Sequence, residues 1–173
     1  MTHVRSQANY QVRLGWGARG LSELAVGDIV VIVDAIGEDD TLVAQAVALD
    51  HSPAVFVSTL RNAKATAQAV YDEQVARGGR TSINLVLAGV DGVFAVEDYL
   101  AAGAIGDALT TLGLDHSAPD VAVATEGFRP LTRALKHLLL ASASGLALKE
   151  VGRGEDVKIA AELDADAEAD RRA

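Results

Sequence analysis

Residues 29–33 read Ile29-Val-Val-Ile-Val33, an unbroken β-branched run. Such side chains favour extended backbone, and an uninterrupted series of them leaves no polar face to turn toward water. A strand of this kind is buried on both faces, as happens when helices cover both sides of a mostly parallel sheet. Other segments fit that frame. Residues 10–16 alternate polar and apolar and predict a half-exposed strand, residues 55–57 a short one and residues 83–87 a fourth. Helices are predicted over 18–25 and 39–49, and from Asn62 to the Gly78-Gly79 stop. Apolar positions Leu100, Ala101, Ala104, Ile105, Ala108, Leu109 and Leu112 mark one helical face. Alternation of strand and helix with short connections implies right-handed parallel crossovers. The expected fold class is α/β, a layered open sheet with helices on its faces.

Beyond Asp115 the pattern is helical: a turn or two over 120–125, a strong helix over 130–141 and a short one over 142–151. Leu131, Leu135, Leu138 and Leu139 share a face of the middle helix, and residues 157–163 suit a closing edge strand. The expected organisation is one α/β domain over 1–163, followed by a disordered acidic, Ala-rich tail over 164–173.

Composition removes several function classes. Aromatic residues make up 4%, so Ala, Val and Leu fill the core and let helices lie close to the sheet. No run reaches the ~18–20 apolar residues that cross a bilayer, so no membrane partner is expected. Residues 1–11 hold no apolar block, and a cytoplasmic location is the resulting expectation. With no cysteine there is no disulfide, thiolate nucleophile or Cys-ligated zinc. A net charge of −9 without a basic stripe argues against a nucleic-acid partner.

Candidate chemistry gathers at strand ends. Asp34 follows the apolar strand, and open α/β sheets bind ligands beyond the carboxyl ends of their strands. The alternative is a cap of the following turn. Residues 85–109 read as a strand, a turn holding Gly89, Asp91 and Gly92, and a helix with Glu97 and Asp98 in its first turn. That carboxylate pair suits a metal ion or acid–base chemistry, or else it complements the helix macrodipole. Asn62 fits a ligand contact or an N-cap. His3, His51, His116 and His137 show no metal-ligand spacing, and Ser142 and Ser144 read as caps.

Several blocks resemble the magnesium-dependent 2-phosphosulfolactate phosphatase family. Residues 14–17 and 30–34 are similar to its opening strand and Val-Val-Asp segment. Residues 55–63 are similar to its Gly-Ser-Leu-Leu-Asn-Ala block. The most specific likeness runs from Ala88-Gly89 through Asp91, Gly92, Phe94, Glu97, Asp98 and Gly103 to Asp107. A later likeness joins Ser142 and Gly145 to Gly152, Asp156, Val157 and Asp164. The resemblance implies hydrolysis of a small anionic phosphate monoester, and the chain is separately expected to form a homo-oligomer. The resemblance also implies Mg²⁺ held by Asp34, Glu97 and Asp98, with Asp34 and Glu97 catalytic and Arg61, Asn62 and Gly89 binding substrate.

The departures fall on the anion-binding side. Glu38, Asp39 and Asp40 follow Asp34 where the family has an arginine and a Ser/Thr-rich helix start, and a central segment is missing. Ser144 and Leu146 stand for a His and an Arg. Arg61, Arg129 and helix-start amides are what remain to hold an oxyanion. Two readings stay open: a phosphatase-family hydrolase, or a shortened fold without catalysis that serves as a binding or assembly protein. Asp91, Asp107 and Asp164 receive no role.

Overall fold

The computed structural model describes residues 4–37 and 39–173; Glu38 and His3 lie outside the described residues. The chain runs β1 (Val12–Trp16), α1 (Gly17–Glu23), β2 (Ile29–Val33), α2 (Asp40–Val47), β3 (Ala54–Ser58), α3 (Ala63–Arg77), β4 (Ile83–Leu87) and α4 (Val96–Thr111). Then come α5 (Pro119–Leu131), α6 (Leu135–Ala141), α7 (Ala143–Glu150), α8 (Gly154–Ala160) and β5 (Asp170–Arg171). The strands form one sheet in the order β1-β4-β2-β3-β5. β1, β4, β2 and β3 are mutually parallel, with Ile29 of β2 opposite both Ala54 and Ile83, and only β5 runs antiparallel. The expected α/β class is the observed one.

The apolar run divides between two cores. Ile29, Val31 and Val33 join Phe56, Leu85 and Leu87 beneath α3, α4, α5, α6 and α8. Val30 and Ile32 face the other way, with Val55, Val57 and Val86, against Leu42, Val43 and Ala46 of α2. All five residues of β2 are buried, and that explains the run.

The C-terminal half departs from expectation in three places. The helix expected to begin at Pro130 does not; Pro130 falls in the last turn of α5, which already has a proline, Pro119, at its start. Having no N–H to donate, Pro130 loosens the helix into a 3₁₀ turn over Thr132–Ala134 before α6 begins. Leu131 consequently leaves the apolar face and is exposed, whereas Leu135 and Leu139 are buried. Residues 157–163 are not an edge strand: they fall on α8 and the turn after it, with Val157 buried.

The third departure is the acidic tail, which is docked rather than frayed. Asp164 and Asp166 donate their amides to the carbonyls of Leu60 and Arg61. Asp170 and Arg171 then pair with Val57 and Phe56 at the edge of β3, with the Arg171 guanidinium 5.5 Å from the centre of the Phe56 ring. Carboxylates that look merely solvating in sequence are neutralised by cations arriving from α3 and its preceding loop.

α4 and α5 approach closely because Gly103 and Gly106 lack side chains. A Cβ on Gly103 would sit 2.3 Å from the Ala124 carbonyl oxygen, and one on Gly106 2.3 Å from the Thr125 hydroxyl. Gly127, on the exposed side of α5, meets nothing within 4 Å. Gly127→Ala is therefore expected to stabilise the protein by about 0.5–1 kcal/mol through helix propensity. Gly103→Ala gains the same propensity but is expected to lose about 1–2 kcal/mol net, because overpacking against backbone outweighs it. Urea denaturation midpoints of the two variants should move in opposite directions.

Candidate functional site

The carboxyl ends of β2, β3 and β4 lie side by side, and the loops leaving them meet there. The Asp34 amide donates to the Ser58 carbonyl, extending the β2–β3 ladder one residue past the strand. The Asp34 side chain folds over its own loop and accepts the Asp39 amide through Oδ2 at 3.1 Å. Gly37 leaves room for it, since a Cβ there would come 3.0 Å from Asp34 Oδ1. Burial raises the Asp34 pKa above the ordinary carboxylate range; the charges of Asp39 and Glu97 add to this, and the Asp39 and Ile36 amides oppose it.

Asp98 crosses from α4 to two strand ends. Oδ1 accepts the Ala35 amide and Oδ2 the Gly89 amide, each at 2.7 Å. One carboxylate thus ties the first turn of α4 to the residues that follow β2 and β4. Burial, reinforced by the charges of Asp34 and Glu97 and opposed by the two amides, raises its pKa to about 7. The local alternative for Asp98, a favourable place on the helix dipole, understates what it does.

Glu97, beside it, is 3% exposed and has no hydrogen-bond partner among the described residues. Its oxygens keep contact with solvent, since the one sealed side-chain polar atom without a partner among the described residues is Thr66 Oγ1, and a carboxylate left open in this way is available to a ligand. The Glu97 charge lies near enough to raise the proton affinity of both Asp34 and Asp98, and the Asp34 charge raises that of Asp98 further. Among the described residues no three acidic or histidine side chains are arranged to hold a metal ion.

The remaining predicted residues are engaged elsewhere. Gly89, at φ +67°, is required by geometry, since a Cβ would fall 2.1 Å from the Val93 carbonyl oxygen, and Asp98 takes its amide. Asp91 and Gly92 both have positive φ and turn the chain between the bridged pair Val90 and Val93. Asn62 stands at the N-cap position of α3 without a capping side-chain bond. Its Oδ1 accepts the Thr59 amide and the Ser58 hydroxyl, and its Nδ2 donates to the Val57 carbonyl. It braces the β3–α3 loop.

Arg61 points away from the carboxylates, toward the C-terminal segment. It donates Nε and Nη2 to Asp166 in a two-pronged bridge, and Nη1 to Glu162 and the Ile159 carbonyl. Arg129 pairs with Asp107 and Glu126 on the surface of α4 and α5. Asp107 is ten residues past Glu97 on α4, roughly 15 Å along the helix axis. Asp39 caps α2 by accepting the Leu42 amide, so one of the acids expected to repel an anion is a helix cap. Ser142 caps α7 by accepting the Gly145 amide, as expected for a capping serine.

A cavity of about 540 Å³ opens next to the Asp34 loop, lined by Ala35, Ile36, Gly37, Arg61, Leu148 and Arg153, with Asp156 at its wall. Arg153 escapes sequence reasoning, because α8 meets the 35–37 loop only through the tertiary fold. A second cavity of similar size lies between α3, α4, α5 and the C-terminal segment, and Asp34, Glu97 and Asp98 line neither of the two.

The family description for 2-phosphosulpholactate phosphatase matches residues 36–167, most of the chain. The chain belongs to that family. The match takes in Arg61, Asn62, Gly89, Glu97 and Asp98, and begins two residues after Asp34. No curated protein matches the chain. No helix among the described residues is long and apolar enough to cross a membrane.

Asp98 makes stability depend on pH. Its folded pKa, about 7, lies above the ordinary 3.8, so between those values the folded chain holds a proton that the unfolded chain has lost. In metal-free buffer its contribution is full below about pH 4 and is lost as the pH rises through about 7. Asp98→Asn should flatten that decline. At pH 4 it should also be less stable by about 1–3 kcal/mol, because an amide nitrogen cannot accept the second backbone N–H. Urea melts at pH 4, 5.5 and 7 read both effects.

Proposed function

We propose that this protein is a 2-phosphosulfolactate phosphatase-like hydrolase that cleaves a small anionic phosphate monoester with Mg²⁺. The observation that carries the reading is Glu97, whose carboxylate reaches solvent without a hydrogen bond to any described residue, near Asp34 at the carboxyl end of the central strand. Mg²⁺ is a hard cation that needs only one or two protein carboxylates and completes its shell with water and substrate oxygens. The lack of a three-carboxylate cage is compatible with such a site. The oxygen donors fit the ion, and Glu97 and Asp34 are the residues that would hold it. Asp98, with both oxygens committed to amides, positions them instead.

When bound, Mg²⁺ supplies Lewis-acid neutralisation of the phosphoryl oxygens. Asp34 takes the proton of the attacking water as the bond from phosphorus to the ester oxygen breaks, and the departing alkoxide carries that proton away as an alcohol. The apolar strand ends beneath keep bulk water from the reacting face and strengthen the local electrostatics.

The non-catalytic reading draws on Arg61 and Asn62, both consumed by internal bonds that hold the C-terminal segment and the β3–α3 loop. Those residues serve as scaffold under either reading, so they do not decide between the two.

Calorimetry should find Mg²⁺ binding that Glu97→Gln weakens at least tenfold, since it removes a charged ligand. Turnover on 2-phosphosulfolactate should need Mg²⁺ and disappear in Asp34→Ala. Folded protein that binds no Mg²⁺ and turns over no phosphate ester would leave the binding-protein reading in possession.

A further inference from the structure

We propose that Arg153 holds the phosphoryl oxyanion of the substrate in the cavity between the 35–37 loop and α7–α8. The proposal rests on the phosphatase reading above and names the cationic side of the same site. Arg153 and Arg61 both line this cavity, but they differ in what they have left to give. Arg61 has committed four of its N–H groups to Asp166, Glu162 and the Ile159 carbonyl. Arg153 commits only Nε, to Asp156 at 2.7 Å, and its two terminal nitrogens have no partner among the described residues. Those nitrogens form the fork that matches a tetrahedral oxyanion.

The opposite wall adds a donor. Gly37 lines the cavity, its amide has no partner among the described residues, and it lies directly against the Asp34 carboxylate. An oxyanion gripped by Arg153 and the Gly37 amide would therefore sit next to the group proposed to take the water's proton. A volume of about 540 Å³ accommodates a small phosphate ester, and Leu148, Ile159 and Ala160 provide an apolar wall. Asp156 competes with the anion for Arg153, which would have to exchange one carboxylate for the phosphoryl group on binding. This supplies the cation that the 34–40 segment lacks.

The test titrates inorganic phosphate into the full chain by calorimetry, alongside a separate Mg²⁺ titration. Arg153→Ala should weaken phosphate binding about tenfold or more, with Arg153→Lys recovering only part, because a point charge lacks the fork. Asp156→Asn should tighten it. Arg153 is well exposed and makes no side-chain cap bond to α8, so its variants should fold, as circular dichroism would verify. Mg²⁺ affinity should stay unchanged in Arg153→Ala. Equal phosphate affinity in wild type and Arg153→Ala would overturn the proposal, as would wild type that binds Mg²⁺ but no phosphate. Tighter binding of methanesulfonate than of phosphate would overturn the assignment to the phosphoryl group. Arg153-dependent phosphate binding in a chain that fails to bind Mg²⁺ would instead uphold this site and defeat the metal-dependent mechanism.

Discussion

One carboxylate, that of Asp98, accepts amides from the residues following two neighbouring strands while standing in the first turn of α4. Parallel strands held by their ladder still leave their exit loops free to diverge. Asp98 removes that freedom for β2 and β4 together, because each loop is bonded to a different oxygen of the same planar group. Bonds to a charged acceptor are each stronger than neutral ones, and they recover part of the cost of taking the charge out of water, though burial still outweighs them and holds the Asp98 pKa high. Because Glu97 is its neighbour, the clasp also sets where Glu97 points. Asp34, at the start of one of the clasped loops, is held in the same frame.

The arginines show how a site can be rearranged without emptying it. Arg61, next to the β3–α3 brace, is turned outward and bonded to a segment more than ninety residues later in the chain. Arg129 is occupied by acids on α4 and α5. Arg153 arrives from the start of α8 and lines a cavity with residues 35–37 of the loop after β2. A change of element supplies the charge while the sheet beneath keeps its shape.

How legible this was depends on whether the information is local. β4 and β2 fall where the apolar runs put them, since a strand buried on both faces writes its burial into consecutive residues. Gly89 and Gly145 each stand where backbone approaches too closely for any side chain. Pro130 misleads because proline suits the first turn of a helix, and only the packing of Phe128 and Thr125 against α4 carries α5 far enough to include it. The docked tail was illegible for a different reason. Its acids look solvated until Arg61 and Lys64 are seen to face them. Glu97 and Asp98 look alike as first-turn acids, and only the third dimension separates a fully bonded clasp from an unbonded neighbour.

The C-terminal segment has a consequence for assembly. Asp170 and Arg171 pair with β3, and Val55 exchanges bonds with Arg172 and Ala173, so that rim of the sheet has its amides and carbonyls engaged. At the opposite rim, Val12 donates to His116 and accepts from Ala118, and is bridged to Ser117. Each outermost parallel strand is thereby fastened to its own chain. Two copies cannot extend one another's sheets through these bonded stretches.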